Sequence, residues 1–109
     1  MLLSIIRVYH SPENEHATID VLSSMKGPLS ALTDCLDCFI LSERAGDNAV
    51  CYMELWKNSE GLNDHLRSAL YARVLEAMEL SQSPPIVEFF ELKKIGGLEW
   101  IESIRTPMR

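Results

Sequence analysis

Residues Ala49 to Trp56 constrain this chain more than any other stretch. They read AVCYMELW, with Cys51, Met53 and Leu55 alternating against Val50, Tyr52, Glu54 and Trp56. A period of two marks a strand with two distinct faces. The face of Cys51, Met53 and Leu55 reads as plain core. The other carries a phenol, a carboxylate and an indole in a row, a set that suits a surface meeting a cavity or a partner. Such a strand needs neighbours to pair with and helices to cover it, and the flanking residues supply both.

Downstream, Asn58 and Ser59 are capping candidates for a helix that places Leu62 and Leu66 on one side with His65 beside them. Leu70, Tyr71, Val74, Leu75 and Met78 continue at helical spacing until Ser81-Gln82-Ser83-Pro84-Pro85 stops them. A strand over Ile86 to Leu92 follows. Upstream, Leu2 to Tyr9 is a first strand, and Ser11-Pro12-Glu13 supplies a cap, a first-turn proline and an acidic residue, predicting a helix from there. Ile19, Leu22 and Met25 are its inward positions. Gly27-Pro28 breaks it, and Pro28 begins a short turn through Ala31 and Leu32. Leu36 to Ser42 and Ala49 to Trp56 form a hairpin around a turn at Ala45-Gly46-Asp47-Asn48.

The order strand, helix, strand, strand, helix, strand is the α+β, ferredoxin-like βαββαβ pattern, a four-stranded antiparallel sheet with both helices on one face. Residues 1–95 make this domain. Residues 96–109 add a short C-terminal helix, whose Leu98, Trp100, Ile101 and Ile104 make a one-sided stripe expected to pack on the domain or on a partner. The second sheet face is left bare, and a second copy of the same sheet is the simplest cover, predicting a homodimer.

The formal net charge of −6 comes with no basic cluster, which removes the source of phosphate attraction and argues against nucleic acid. No apolar run reaches the roughly 20 residues of a membrane span, and Leu2 to Val8, interrupted by Ser4 and Arg7, is too short for a signal core. A cytoplasmic protein is expected. There Cys35, Cys38 and Cys51 stay reduced. Cys35-Leu36-Asp37-Cys38 spells C-x-x-C, but it enters a strand, where positions three apart face opposite ways, and no second ligand pair completes a zinc set. Structural thiols are the expectation. No glycine-rich phosphate loop, nucleophile elbow or paired metal-binding histidine is present, so no cofactor or metal is expected.

Among groups that carry chemistry, an imidazole is the natural acceptor for a phenolic proton, which makes His65 a candidate base, or else a hydrogen-bonded structural residue. Tyr71 and Arg7 are candidate cavity-lining or anion-binding groups, with core and solvated strand as their alternatives. His10 and His16 have no partner pattern and are expected in solvent.

Glu54 and Trp56 in E-x-W, then Ser59-Glu60, Leu62, His65-Leu66, Ser68, Tyr71, Val74-Leu75 and Pro84-Pro85, together resemble the antibiotic biosynthesis monooxygenase family of dimeric α/β barrels. The resemblance implies two sheets face to face, with a ligand cavity inside each protomer. It also implies a cofactor-independent oxidation of a quinol, anthrone or similar aromatic phenol by O₂. In the anthrone-oxidising branch a tryptophan matching Trp56 acts with an asparagine four residues earlier, where this chain has Tyr52. In the haem-degrading branch a tryptophan matches His65, the haem-ligating histidine falls at Leu75, and the first strand carries an asparagine that Leu2 to Tyr9 lacks. That departs from haem chemistry. In a chain that is such an oxygenase, a phenolic substrate is expected against Trp56, with His65 as proton acceptor and Tyr52 as donor to the developing oxyanion, and with Tyr71, Glu54 and Arg7 as candidate substrate contacts. An aromatic plug at the dimer interface is the alternative role for Trp56. A non-enzymatic dimeric barrel that binds a small apolar ligand is the alternative for the whole chain.

Overall fold

The computed structural model describes residues 1–43 and 48–106. The chain runs β1 (Leu2–Tyr9), α1 (Glu15–Ser23), α2 (Lys26–Ser30), β2 (Cys35–Glu43), β3 (Ala49–Trp56), α3 (Ser59–Arg67), a 3₁₀ turn (Ala69–Tyr71), α4 (Ala72–Glu79), β4 (Ile86–Glu91) and α5 (Leu98–Arg105). The strands form one antiparallel sheet in the order β2-β3-β1-β4, the expected ferredoxin-like architecture, and the sheet is open. Residues 45–47 of the expected hairpin turn lie outside the described residues.

β1 and β3 lie at the centre and pair along their whole length, from Leu2 opposite Trp56 to Tyr9 opposite Ala49. Residues facing each other across an antiparallel ladder share a sheet face. Ser4, Ile6 and Val8 of β1 therefore share a face with Glu54, Tyr52 and Val50 of β3, and all six are buried under the helices. Leu22, Met25, Leu29, Leu62, Val74 and Ala77 close this core from the helix side.

The two faces of β3 are the reverse of those expected. Cys51, Met53 and Leu55, taken as core, lie on the uncovered face with Leu3, Ile5 and Arg7 of β1. Tyr52, Glu54 and Trp56 point into the core. The uncovered face continues onto β2 and β4, where Phe39, Leu41 and Phe90 stand 40%, 52% and 42% exposed.

Local chemistry accounts for the remaining departures. Ser11 accepts the amide of Asn14 on both its hydroxyl (3.2 Å) and its carbonyl (3.0 Å), closing a separate turn, so α1 starts at Glu15 rather than at Ser11. Leu75, expected in the inward stripe of the second helix, is exposed, because the residues one turn apart that reach the core are Val74 and Ala77. In β2 a bulge at Leu36 sets Cys35 opposite Trp56 and Cys38 opposite Glu54. The two thiols therefore share the helix-side face instead of pointing opposite ways. β4 is an edge strand of the sheet, and Val87 and Phe89 are exposed on one side and Ile86 and Phe90 on the other. No residue of α5 is buried, and within the single chain its Leu98, Trp100, Ile101 and Ile104 stripe is bare. No helix among the described residues is long and apolar enough to cross a membrane.

The helix carrying His65 is fixed at both ends. Asn58 Oδ1 accepts from the Gly61 amide at 2.8 Å, and Ser68 donates to the His65 carbonyl through both its amide (3.0 Å) and its hydroxyl (2.7 Å). Gly61 also permits a close approach, since a Cβ there would lie 2.6 Å from Asp34 Cβ. Replacing Asn58 by Ala should therefore cost about 1 kcal/mol of stability, read as a lower urea midpoint at unchanged m-value.

Candidate functional site

Glu54 is the hub of the buried face. Spacing of two along β3 puts Tyr52 on one side of it and Trp56 on the other, and α3 brings His65 down from above. Tyr52 Oη donates to Glu54 Oε2 at 2.5 Å, Trp56 Nε1 donates to Oε1 at 3.1 Å, and His65 Nε2 meets Oε2 at 3.0 Å. The Glu54 side chain is 0% exposed and that of His65 1%. A carboxylate in such a place is tolerable only when its oxygens are fully engaged, and here three donors converge on it.

Because a carboxylate only accepts, Nε2 carries the proton in its bond to Glu54, and in the neutral form of the ring the lone pair is then at Nδ1. Nδ1 is buried and has no hydrogen-bond partner among the described residues. The ring itself is held in a sandwich. It stacks on Trp56 with centroids 4.9 Å apart and planes at 28°, and Tyr71 meets it edge-on at 5.2 Å and 87°.

Burial, and secondarily the nearby Glu54 charge, push the phenols of this cluster up: Tyr52 far above the ordinary tyrosine range and Tyr71 to about 12. Both stay protonated donors. The thiols move the same way, chiefly through burial, with Cys35 pushed up to about 11 and Cys38 and Cys51 raised. They are protonated near neutrality and poor nucleophiles, as structural thiols are.

A cavity of about 410 Å³ adjoins the cluster between α3 and the segment that joins α2 to β2. Trp56 and His65 form its inner wall. Pro28, Leu32 and Leu70 add apolar surface, and Thr33, Asp34, Gly61, Asp64 and Ser68 complete the lining. Tyr52 and Glu54 are sealed behind that wall.

The structure thus brings together Tyr52, Glu54, Trp56, His65 and Tyr71. It does not bring Arg7 to them: that side chain lies on the opposite sheet face and bonds Glu43 at 2.8 Å, and a hydrogen bond with Tyr9, followed by the Glu43 charge, raises its pKa. Trp56 is in the helix-side core and not on the bare face, so it cannot plug an interface there. Tyr52 has one hydroxyl proton, and it is committed to Glu54. That Asp34, Asp64, Leu32 and Leu70 share one cavity is not legible in the sequence, because they come from a loop, a helix rim and a turn that no periodicity links.

His10 is another correction. It is 5% exposed rather than in solvent, because its amide bonds Asn48 and its ring turns inward so that Nδ1 lies 2.9 Å from the Ser11 carbonyl. It lines a separate, more open hollow of about 640 Å³ with Tyr9, Asn48 and Gln82, at the opposite end of β1 from Trp56. His16 is exposed beside Asp20, as expected. Among the described residues no group of three or more His, Cys, Asp or Glu is placed to hold a metal ion.

A family model described as antibiotic biosynthesis monooxygenase matches residues 1–77. No curated protein matches. Solved structures share the fold. One is a candidate antibiotic biosynthesis monooxygenase from Deinococcus radiodurans, with TM-score 0.77 and 14% identity over 89% of this chain and 97% of that one. Rv0793 from Mycobacterium tuberculosis has TM-score 0.75 and 21% identity over 87% and 98%. A conserved protein from Methanosarcina mazei has TM-score 0.75 and 16% identity over 84% and 92%.

The raised phenols make stability pH-dependent in a defined direction. A group whose folded-state pKa lies above its unfolded value stabilises fully below the unfolded value and loses that contribution as pH rises past it. The thiols begin to lose theirs near pH ~8.5 and Tyr52 and Tyr71 near pH ~10. Urea midpoints should be flat from neutrality to that region and then fall. Tyr52→Phe, though less stable throughout, should flatten the fall above pH ~10 by up to about 1.4 kcal/mol per pH unit. An unaltered slope would contradict the burial of this phenol.

Proposed function

Since the chain belongs to the antibiotic biosynthesis monooxygenase family, we propose that it is a cofactor-independent monooxygenase that oxidises a quinol, an anthrone or a similar aromatic phenol with O₂. The observation that carries this reading is an imidazole oriented by a buried carboxylate at the wall of a cavity with apolar surfaces. The substrate ring lies in the cavity against the Trp56–His65 wall. His65 Nδ1, which has no hydrogen-bond partner among the described residues, takes the phenolic proton as the side chains over it give way. Glu54, bonded to Nε2, stabilises the imidazolium so formed, and Tyr52 and Trp56 hold Glu54 in place. The deprotonated ring is electron-rich enough to pass an electron to O₂. For an anthrone, the methylene becomes a carbonyl, and the second oxygen leaves as water with the two methylene hydrogens.

A second reading is a dimeric barrel that binds a small apolar ligand without chemistry. It is favoured by the closure of the cluster: Tyr52 Oη and both Glu54 oxygens are bonded within the protein, and Nδ1 is covered.

Oxygen uptake with an anthrone or a hydroquinone separates the two. His65→Ala should lower the rate roughly 10²- to 10⁴-fold, and Trp56→Phe should act mainly through KM. His65→Gln, whose amide can still donate to Glu54, should keep the fold and lose the rate as His65→Ala does. Wild-type uptake at the uncatalysed background would favour the binding reading, and full activity in His65→Ala would overturn the role given to His65.

The assembly we propose is a homodimer closed through the uncovered sheet face, where apolar side chains from all four strands stand together. In it, α5 packs its bare stripe on the partner. A reducing cytoplasm, in which Cys35, Cys38 and Cys51 remain free thiols, is the setting this supposes. Light scattering should give twice the chain mass at micromolar concentration, and removal of residues 96–109 should weaken that dimer. A stable monomer would overturn the arrangement.

A further inference from the structure

The cavity beside Trp56 and His65 has a one-sided charge. Its rings and hydrocarbon come from Trp56, Pro28, Leu32 and Leu70, and the carboxylates in its lining are Asp34 and Asp64. No Lys or Arg lines it among the described residues. A third carboxylate, Glu54, stands behind His65 at 3.0 Å, so the one group on the wall able to become a cation is already engaged by an anion.

The two aspartates differ in how they are held. Asp34 is fixed by its packing against Gly61 and by its carbonyl, which accepts the Lys57 amide at 2.8 Å. Its carboxylate receives no side-chain hydrogen bond or salt bridge from the described residues. Asp64 meets Arg67 at 3.2 Å, but both side chains are more than 70% exposed, and such a pair in water neutralises little.

Resting on the oxygenase site described above, we propose that this cavity sorts planar phenols by charge: it takes those that are neutral or that bear a protonated amine, and it turns away those that bear a carboxylate. The ring binds by apolar contact in all cases, since Trp56, Leu32 and Leu70 are indifferent to the substituent. The substituent then meets Asp34 and Asp64, which attract an ammonium and repel a carboxylate. An ammonium on the substrate has a further effect. The phenolate that His65 must generate forms beside three carboxylates, and a cation carried by the same molecule offsets their field.

The test is binding of three ligands with one ring system: 2-naphthol, 6-(aminomethyl)-2-naphthol and 6-hydroxy-2-naphthoate, measured by calorimetry on the full chain. At low ionic strength the amine should bind about tenfold or more tighter than the carboxylate, with 2-naphthol between them, and the gap should shrink at about 0.5 M salt. In the double variant Asp34→Asn/Asp64→Asn the ordering should collapse while affinity for 2-naphthol is kept, with circular dichroism verifying the fold. Equal binding of all three, preference for the carboxylate, or an ordering the double variant leaves intact would each overturn the proposal. Oxygen uptake is scored separately. Ordered binding without uptake defeats the oxygenase reading alone, uptake with unordered binding defeats the charge rule alone, and no binding of any of the three defeats both.

Discussion

The engagement of one buried carboxylate holds this structure together at its functional end. Glu54 accepts from Tyr52, Trp56 and His65, and each donor arrives by a different structural device. Tyr52 and Trp56 are placed by the pleat of the strand that carries Glu54 itself, which the β1 and β2 ladders keep extended. His65 is placed by α3, and so depends on Asn58 at the start of that helix, on Ser68 at its end and on the absence of a side chain at Gly61. A buried donor or acceptor left without its partner costs about 1–3 kcal/mol, and more for a charged one. The cluster therefore ties the register of the sheet to the seating of the helix.

The same arrangement explains what the sequence reveals and what it hides. Alternation along Ala49 to Trp56 identifies the strand, and the element order identifies the sheet, because both follow from a period and from turn residues. Which face of β3 is covered does not follow. Cys51, Met53 and Leu55 look more like core than Tyr52, Glu54 and Trp56 on hydropathy alone, yet the polar set is buried because its members satisfy one another and His65. That compatibility is a property of four side chains in space, eleven residues apart at the widest pair with Glu54. The bulge at Leu36 and the inward turn of His10 are hidden for a related reason: each is decided by a neighbour, β3 in one case and Asn48 in the other.

Chemistry and closure coexist in this site. A proton acceptor has to be oriented and desolvated to work well, and the Trp56, Tyr71 and Glu54 contacts around His65 do both. The cavity then supplies the volume that the cluster itself lacks, so the reacting ring and the residues that polarise the imidazole occupy separate compartments with His65 as their shared wall.

The central position of β1 bears on how the chain is made. Its first strand pairs with β3, Leu2 lying opposite Trp56, and also with β4, where Leu2 lies opposite Glu91. During synthesis the β2–β3 hairpin can close from adjacent residues, but β1 must wait with one backbone edge unpaired until nearly the whole domain has left the ribosome. Pairings this distant in sequence are slow to close. A chain that paired its strands in order of synthesis would hold β2, β3 and β1 together before β4 was available, with the open edge on β1, one of the two central strands of the finished sheet.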